Sequence, residues 1–539
     1  MNSHSVSDEN ALGDEVRGFL AKCLPALKDD MKQLAAFARQ SDYHDDILWN
    51  DPLFRARAAA LQAELDALEH ALARAMQGGD RASDDLAVLA GITGSELQRK
   101  VGGLIAQALG PFGLAQEPAH HGGLAADELP GPFEAPGGAP ILAFRDGDNE
   151  LLRQRIAETS LHHSGARLDL GPSGEDAKLR DGIDRFTAAA YALPARAALL
   201  AANRDNWDHF AAMGWLGLGI PEEAGGHGGS LATMMLLAER LGAGLAIEPY
   251  VGGIVYPAAA LQVSLDAAEA AKLLAPAVAG KTRLAMACHE APARGGLRWT
   301  KASATPDKDG YVLDGCKVAV DGGGTATDYL VSARTAGEVY DPFGHSLFLV
   351  PRGTPGVRVH AWRMIDGSDM ATVELDAVRV PGQALLGKPG AALAALGAGM
   401  DVAIVANAFG VVGAMEAALA AAPGCLSKDG QPGEAMRDSR LQRQRAQMLA
   451  ALEQARSAAL LGLASLSEPD GRRRAYATSA TKAVIVRASD FVCGQAIRLH
   501  GETGIAEEGP AGHFRDFAAA ANSLRGSLDF HLSRMSMLM

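Results

Sequence analysis

The sequence predicts a mainly α protein with a central β domain. Three observations lead there. Ala and Leu dominate, aromatics are only 5% of the chain, and such a composition favours helix. Apolar residues recur at helical spacing near the N-terminus, as in Leu53, Ala60, Leu61, Leu65, Leu68 and Leu72. Short β-type runs, by contrast, are confined to residues 282–380.

Taken in order, residues 9–115 read as helices with short breaks. Residues 118–140 (PAHHGGLAADELPGPFEAPGGAP) are rich in Gly and Pro and read as a loop. A short helix is expected over 144–160, a linker over 162–176, and amphipathic helices over 177–275. The β runs follow: RLAMACHE, GYVLDGCKVAV, DYLVSAR, SLFLVP, GVRVH and ATVELDAVRV. Turns are expected at Pro306–Gly310 and Gly322–Gly324, where turn-forming residues separate the runs. From 386 onward the pattern is helical again. The expected domains are a front helical unit (1–165), a second helical unit (166–280), a β domain (281–390) and a helical bundle (391–539). The length of 539 residues suits several domains of about 100–200 residues each.

Composition excludes some functions. The net charge is −14 with no basic block, which argues against nucleic acid, since phosphate binding wants a basic face. Five scattered Cys without CxxC spacing argue for a reducing compartment and against structural zinc. The N-terminus is polar and acidic, unlike a signal peptide. No charge-free apolar stretch of about 20 residues suggests a membrane span. The expectation is a cytoplasmic protein.

Several segments are more specific. Met213–Gly229, MGWLGLGIPEEAGGHGG, resembles the GW-x-GL-x-x-PEE-x-GG-x-G signature of acyl-CoA dehydrogenases. DGYVLDGCKVAVDGG (309–323) resembles that family's β-domain hairpin. QAIRLHGETGIAEEGPAGHF (495–514) is similar to Q-x-x-Q-L-H-G-G-x-G-M-T-D-E-x-x-x-G-H-Y of the short subunits of bacterial heteromeric members. The resemblance covers about 370 residues in the right order. The front half resembles the family too. Residues 14–28 look like the first helix of a long subunit, and 51–114 like its C-terminal helical domain. GSELQRKVGGLIAQALGPFGL (94–114) parallels SDFVCGQAIRLHGETGI (489–505), and FRDGDNELLRQRIA (144–157) resembles the closing helix. The chain therefore resembles a truncated long subunit fused to a complete short subunit.

The resemblance implies FAD-dependent α,β-dehydrogenation of an acyl-CoA, with a carboxylate taking the α proton and the flavin the β hydride. The family's base, the Glu of Y-E-G-T, aligns with Arg525, and an Arg cannot accept a proton at neutral pH. The front-half equivalent is Asp146, a candidate base or a solvated acid in a turn. An alternative base position in some members falls in 397–410, where Asp401 is the sole acid and could equally be solvated or a cap. Candidate flavin contacts are Lys428 in place of R-x-Q-F-G, and Arg498, His500, Gly501 and Gly504 in place of Q-L-H-G-G-x-G. Asp321 stands where W-I-T lies against the ring.

T-E-P-x-A-G-S-D appears as His289–Glu290–Ala291–Pro292–Ala293–Arg294–Gly295–Gly296. His289–Glu290 is an acid/base candidate at the former flavin edge. Three readings stay open: a flavin-dependent dehydrogenase, a flavin-free hydratase, lyase or isomerase acting on an acyl-CoA, and a non-catalytic partner subunit of an active dehydrogenase. Expected partners are an acyl-CoA substrate and either a second copy of a pseudo-dimeric chain or another dehydrogenase subunit. Bulky substrates such as steroid side chains are a further expectation from the heteromeric members.

Overall fold

The structure, a computed structural model, describes residues 4–40, 42–43, 46–77, 81–109, 174–293, 295–422, 439–500 and 509–539. Its front unit holds α1 (His4–Gln40), a minimal hairpin β1–β2 (Asp42–Tyr43, Asp46–Ile47), α2 (Pro52–Gln77) and α3 (Arg81–Leu109). Val16, Leu20, Leu24, Leu27, Met31 and Leu34 recur every three to four residues on α1, and all are buried against α2 and α3. Residues 14–28 are thus the middle of a 37-residue helix rather than a helix of their own.

The second helical unit comprises α4 (Gly174–Ala190), α5 (Leu193–Ala201), α6 (Trp207–Ala212) and α7 (Leu231–Ala243). A π-helical turn, Val251–Val255, then leads into α8 (Tyr256–Ser264), and α9 (Ala267–Val278) follows. Ser230 and Asp266 cap α7 and α9 by accepting from the amides of Thr233 and Glu269.

The β domain is an eight-stranded sheet: β3 (Leu284–Ala287), β4 (Ser303–Asp307), β5 (Gly310–Asp321), β6 (Asp328–Arg334), β7 (His345–Pro351), β8 (Val357–Arg363), β9 (Asp369–Pro381) and β10 (Leu385–Leu386). The order is β10-β7-β6-β4-β5-β9-β8, with β3 parallel on β6. The expected turn at Pro306–Gly310 is shorter in the structure. β4 continues through Pro306, which pairs with Tyr311, while β4 meets β6 only at Ser303. Pro306 therefore costs no ladder bond on that side, and the reversal is left to Lys308 (φ 48) and Asp309.

The C-terminal bundle holds α10 (Ala392–Ala421), α11 (Ser439–Ser465), α12 (Gly471–His500), α13 (Pro510–Ser523) and α14 (Leu528–Leu538). α10 is long and apolar enough to cross a membrane by length and composition, but its most apolar window is 78% buried inside the protein. It is the bundle's core helix. The front unit packs on this bundle. Ala59, Ala60, Ala63 and Ala67 of α2 meet Ala480, Ala483 and Val484 of α12 and Leu532 and Met535 of α14. Small side chains let these helices approach closely. Polar contacts edge the seam: Tyr476 Oη donates to Asp66 at 2.9 Å, and Arg487 pairs with Glu64 at 3.2 Å.

Candidate functional site

Two sequence features build the site between the β domain and the C-terminal bundle. The first is a bulge in β5. Its register against β9 slips between Lys317 and Val320, and Ala319 adopts φ 50. A bulge re-aims the side chains on either side of it. Here Lys317 is fully buried, whereas Asp321, at the strand's end, lines a cavity. The second is the turn Leu524–Ser527 joining α13 to α14. Arg525 adopts φ 61, a conformation rare and costly for a non-glycine residue, which persists only when its surroundings enforce it.

Three side chains enforce it. Lys482 Nζ donates to the carbonyls of Ala521 (3.0 Å) and Leu524 (3.3 Å). His531 Nε2 donates to the carbonyl of Arg525 at 3.0 Å, and its Nδ1 accepts from Ser479 Oγ at 3.1 Å. Ser527 caps α14 by accepting from the amide of Phe530. Burial pushes Lys482 down to about 7, with Arg525 adding to the effect. Burial likewise pushes His531 down to about 3, so its imidazole is neutral.

The cavity measures about 410 Å³. Arg525 Nη2 meets Asp321 Oδ2 across it at 2.7 Å, with side-chain exposures of 4% and 17%. The guanidinium carbon lies 5.9 Å from the centre of the Tyr256 ring. Among the described residues, Arg525 Nε and Nη1 are buried without a hydrogen-bond partner, as are both ring nitrogens of His289. The close fit requires glycine at one point: a Cβ on Gly252, within the π-helical turn, would collide with the Asp321 carboxylate. A smaller cavity of about 90 Å³ shares Asp321 and Leu524 and is lined also by Tyr250, whose hydroxyl has no partner among the described residues.

His289 and Glu290 are both at the larger cavity, but their environments differ. Glu290 accepts from Lys317 Nζ (2.7 Å) and from the amides of Ala302 (3.0 Å) and Lys301 (2.9 Å). Lys317 also donates to Ser332 Oγ at 3.2 Å. Burial lowers the Lys317 pKa, an effect Glu290 opposes. Glu290 is therefore committed to a buried pair rather than to its neighbour His289. Asp401 is not solvated, as one reading of the sequence had it. It is buried, accepts from Thr478 (2.9 Å) and Arg474 (3.1 Å), lies 3.6 Å from Arg534, and lines neither cavity. Burial raises its pKa despite these partners.

Arg498 and His500 lie at the end of α12 and also line neither cavity; His500 Nδ1 donates to the carbonyl of Ala496 at 2.7 Å. Asp146, Arg294, Lys428, Gly501 and Gly504 lie outside the described residues. The sequence reading missed Tyr256, Gly252, Lys482 and His531. A glycine pair followed by Tyr at the head of α8 was a usable signal. Nothing local marks a buried Lys or His on a helix.

Two other cavities differ in character. One of about 290 Å³ lies at the seam of the front unit and the bundle, where Glu64 is already paired with Lys100 and Arg487. Another, about 710 Å³, is a surface groove with Lys32, Arg39, Arg472 and Arg473. Neither joins strained backbone to unpartnered buried donors. Among the described residues, no cluster of His, Cys, Asp and Glu could hold a metal.

Comparison with known proteins places most of the chain. Family models for the acyl-CoA dehydrogenase N-terminal, middle and C-terminal domains match residues 173–280, 293–378 and 394–538. The chain is 27% identical over 216 residues to acyl-CoA dehydrogenase FadE12 of Mycobacterium tuberculosis, a match covering 38% of this chain and 54% of that protein. It thus spans about half the length of that relative. It is 25% identical over 391 residues to acryloyl-CoA reductase (NADH) of Anaerotignum propionicum, covering 71% and 94% of the two chains. A chain of the ChsE4–ChsE5 complex from Mycobacterium tuberculosis shares the fold, with a TM-score of 0.59 at 20% identity, covering 69% of this chain and 98% of that one.

Proposed function

The chain belongs to the acyl-CoA dehydrogenase superfamily, and on that premise we propose that its larger cavity takes an acyl-CoA thioester for a non-oxidative role. The observation that carries this reading is the Arg525–Asp321 pair across that cavity at 2.7 Å. Residue 525 stands where the family's proton-abstracting Glu aligns, and a guanidinium cannot take a proton at neutral pH.

Family members are generally FAD-dependent, but the residues here are a poor fit to a flavin. The ring's oxygen and nitrogen edge mostly accepts hydrogen bonds, its N3–H being the one donor. Asp321 stands in the family's ring-contact segment and, ionised, offers only acceptors. Among the described residues its single side-chain donor partner is Arg525, which draws it into the cavity. No step through a flavin is derived for this chain.

His289 is the group best placed to move a proton at a bound thioester. Neither ring nitrogen has a hydrogen-bond partner by distance and angle among the described residues, although the neighbouring Cys288 thiol interacts with the ring, and imidazole is the side chain most often used to move protons in catalysis. Glu290 is not available for that work. The front unit supports a second feature of this reading. Its helices already cover a face of the C-terminal bundle through the α2 seam, as expected of a truncated subunit fused to a complete one.

The test is calorimetric titration of the full chain with isovaleryl-CoA, together with an assay for reduction of an artificial electron acceptor. Binding without acceptor reduction is expected. Turnover of the acceptor by the chain alone would sink the reading.

A further inference from the structure

We propose that the acyl group bound here carries its own carboxylate on the α carbon, and that Arg525 receives it. The inference deepens the thioester reading above and rests on it.

A guanidinium offers five N–H donors in a fixed fork. Arg525 uses Nη2 on Asp321, while Nε and Nη1 have no partner among the described residues although the side chain is only 4% exposed. Leaving charged donors unpaired in a buried place is costly, and natural structures satisfy them. The cost is compounded by φ 61, which Lys482 and His531 hold in place from behind. A residue held at such expense, lining a cavity with donors free, is arranged for an incoming acceptor. The proposed thioester places its α carbon beside residue 525, so what Arg525 reaches is a substituent on that carbon. An anionic oxygen is the partner a buried cation selects, with charge-assisted hydrogen bonds about twice as strong as neutral ones.

The charged groups facing the site set the balance. Asp321 is a like charge to the ligand and weakens the interaction. Glu290 is offset by Lys317. Lys482 and His289 add no negative charge. One cation would therefore bridge two carboxylates, Asp321 on Nη2 and the ligand on the remaining donors. Met286, Val318 and Leu524 make part of the lining apolar, and among the described residues that line the cavity no further charged side chain competes.

Calorimetry of the full chain with malonyl-CoA and with isovaleryl-CoA tests this. The two acyl groups have the same number of heavy atoms and the same branching, and differ in the carboxylate. Malonyl-CoA is expected to bind roughly tenfold more tightly, the scale of one charge-assisted interaction. Asp321→Asn, which removes the competing charge, should widen that preference. Arg525→Gln leaves Asp321 unpaired, so the double variant Arg525→Gln/Asp321→Asn is measured beside it. It should lose the preference for malonyl-CoA over isovaleryl-CoA. Equal affinity of the parent for both thioesters overturns the carboxylate inference and leaves the thioester site standing. Binding of neither overturns both. A malonyl preference that survives in the double variant removes Arg525 from the account.

Discussion

Two buried ion pairs border the same cavity and are built to different ends. Lys317–Glu290 is closed. Every carboxylate oxygen has a donor, and the ammonium has Glu290 and Ser332; Lys317 sits on β5 at the edge of the bulge and Glu290 in the loop after β3. Arg525–Asp321 is open. Among the described residues it has one hydrogen bond and two unpartnered guanidinium nitrogens, on a left-handed backbone. A closed pair offers nothing to a ligand and serves the fold. An open pair held in a strained turn is a cost to the fold that a ligand can repay.

The difference can be broken experimentally, beginning where the effect is largest. Lys317→Met strands Glu290 without a cation in a dry site, and breaking such a pair costs about 3–5 kcal/mol. Chemical denaturation should register that loss, with part of it recovered when Glu290→Gln is added. A loss below about 1 kcal/mol would mean that the pair is not the fold's.

Next comes the support behind the open pair. Lys482 in the folded chain sits at about 7, well below its ordinary 10.5. Between those values the unfolded chain holds a proton that the folded chain lacks. Stability therefore rises with pH across that window, by at most about 1.4 kcal/mol per pH unit. His531 works at the other end: with a folded value of about 3 against 6.5, it makes stability fall as pH drops from 6.5 toward 3. Lys482→Met should flatten the alkaline rise in a denaturation series across pH. An unchanged slope would contradict the burial of that amine.

Arg525→Gln should cost less than Lys317→Met, about 1–2 kcal/mol, because Asp321 is partly reached by water and relaxes into it. A cost equal to that of Lys317→Met would erase the distinction between the two pairs. The smallest effect belongs to His289→Gln. With only its contact to the Cys288 thiol to lose, stability should change by under about 1 kcal/mol, whereas any proton transfer at a bound thioester should be abolished. Solvent-deuterium exchange into the bound acyl group, followed by mass spectrometry, separates the two readouts.

The fold was largely legible in the sequence because its signals are local. Helical spacing places α1 to α3, and runs such as DYLVSAR and SLFLVP become β6 and β7 nearly as written. Ser303–Asp307 escaped because Pro306 reads as a turn, and only the free side of β4 makes it tolerable. The site was half legible. Arg525 and Asp321 could each be flagged by position, but their contact joins residues 204 apart in the chain. Glu290 looked like His289's partner because they are adjacent, yet the ammonium that claims it lies 27 residues on. Alternation along β5 gave no sign that a bulge turns Lys317 inward. Lys482 and His531 were invisible because their roles depend on which helix end each one meets.

The central claim is that a guanidinium–carboxylate pair stands where the family keeps a base and a flavin edge. Visible absorbance of the purified full chain, before and after adding excess FAD and removing what is unbound, tests it most directly. The account predicts no retained flavin band in either sample. A flavin band near one per chain would contradict it and return the chain to ordinary dehydrogenation.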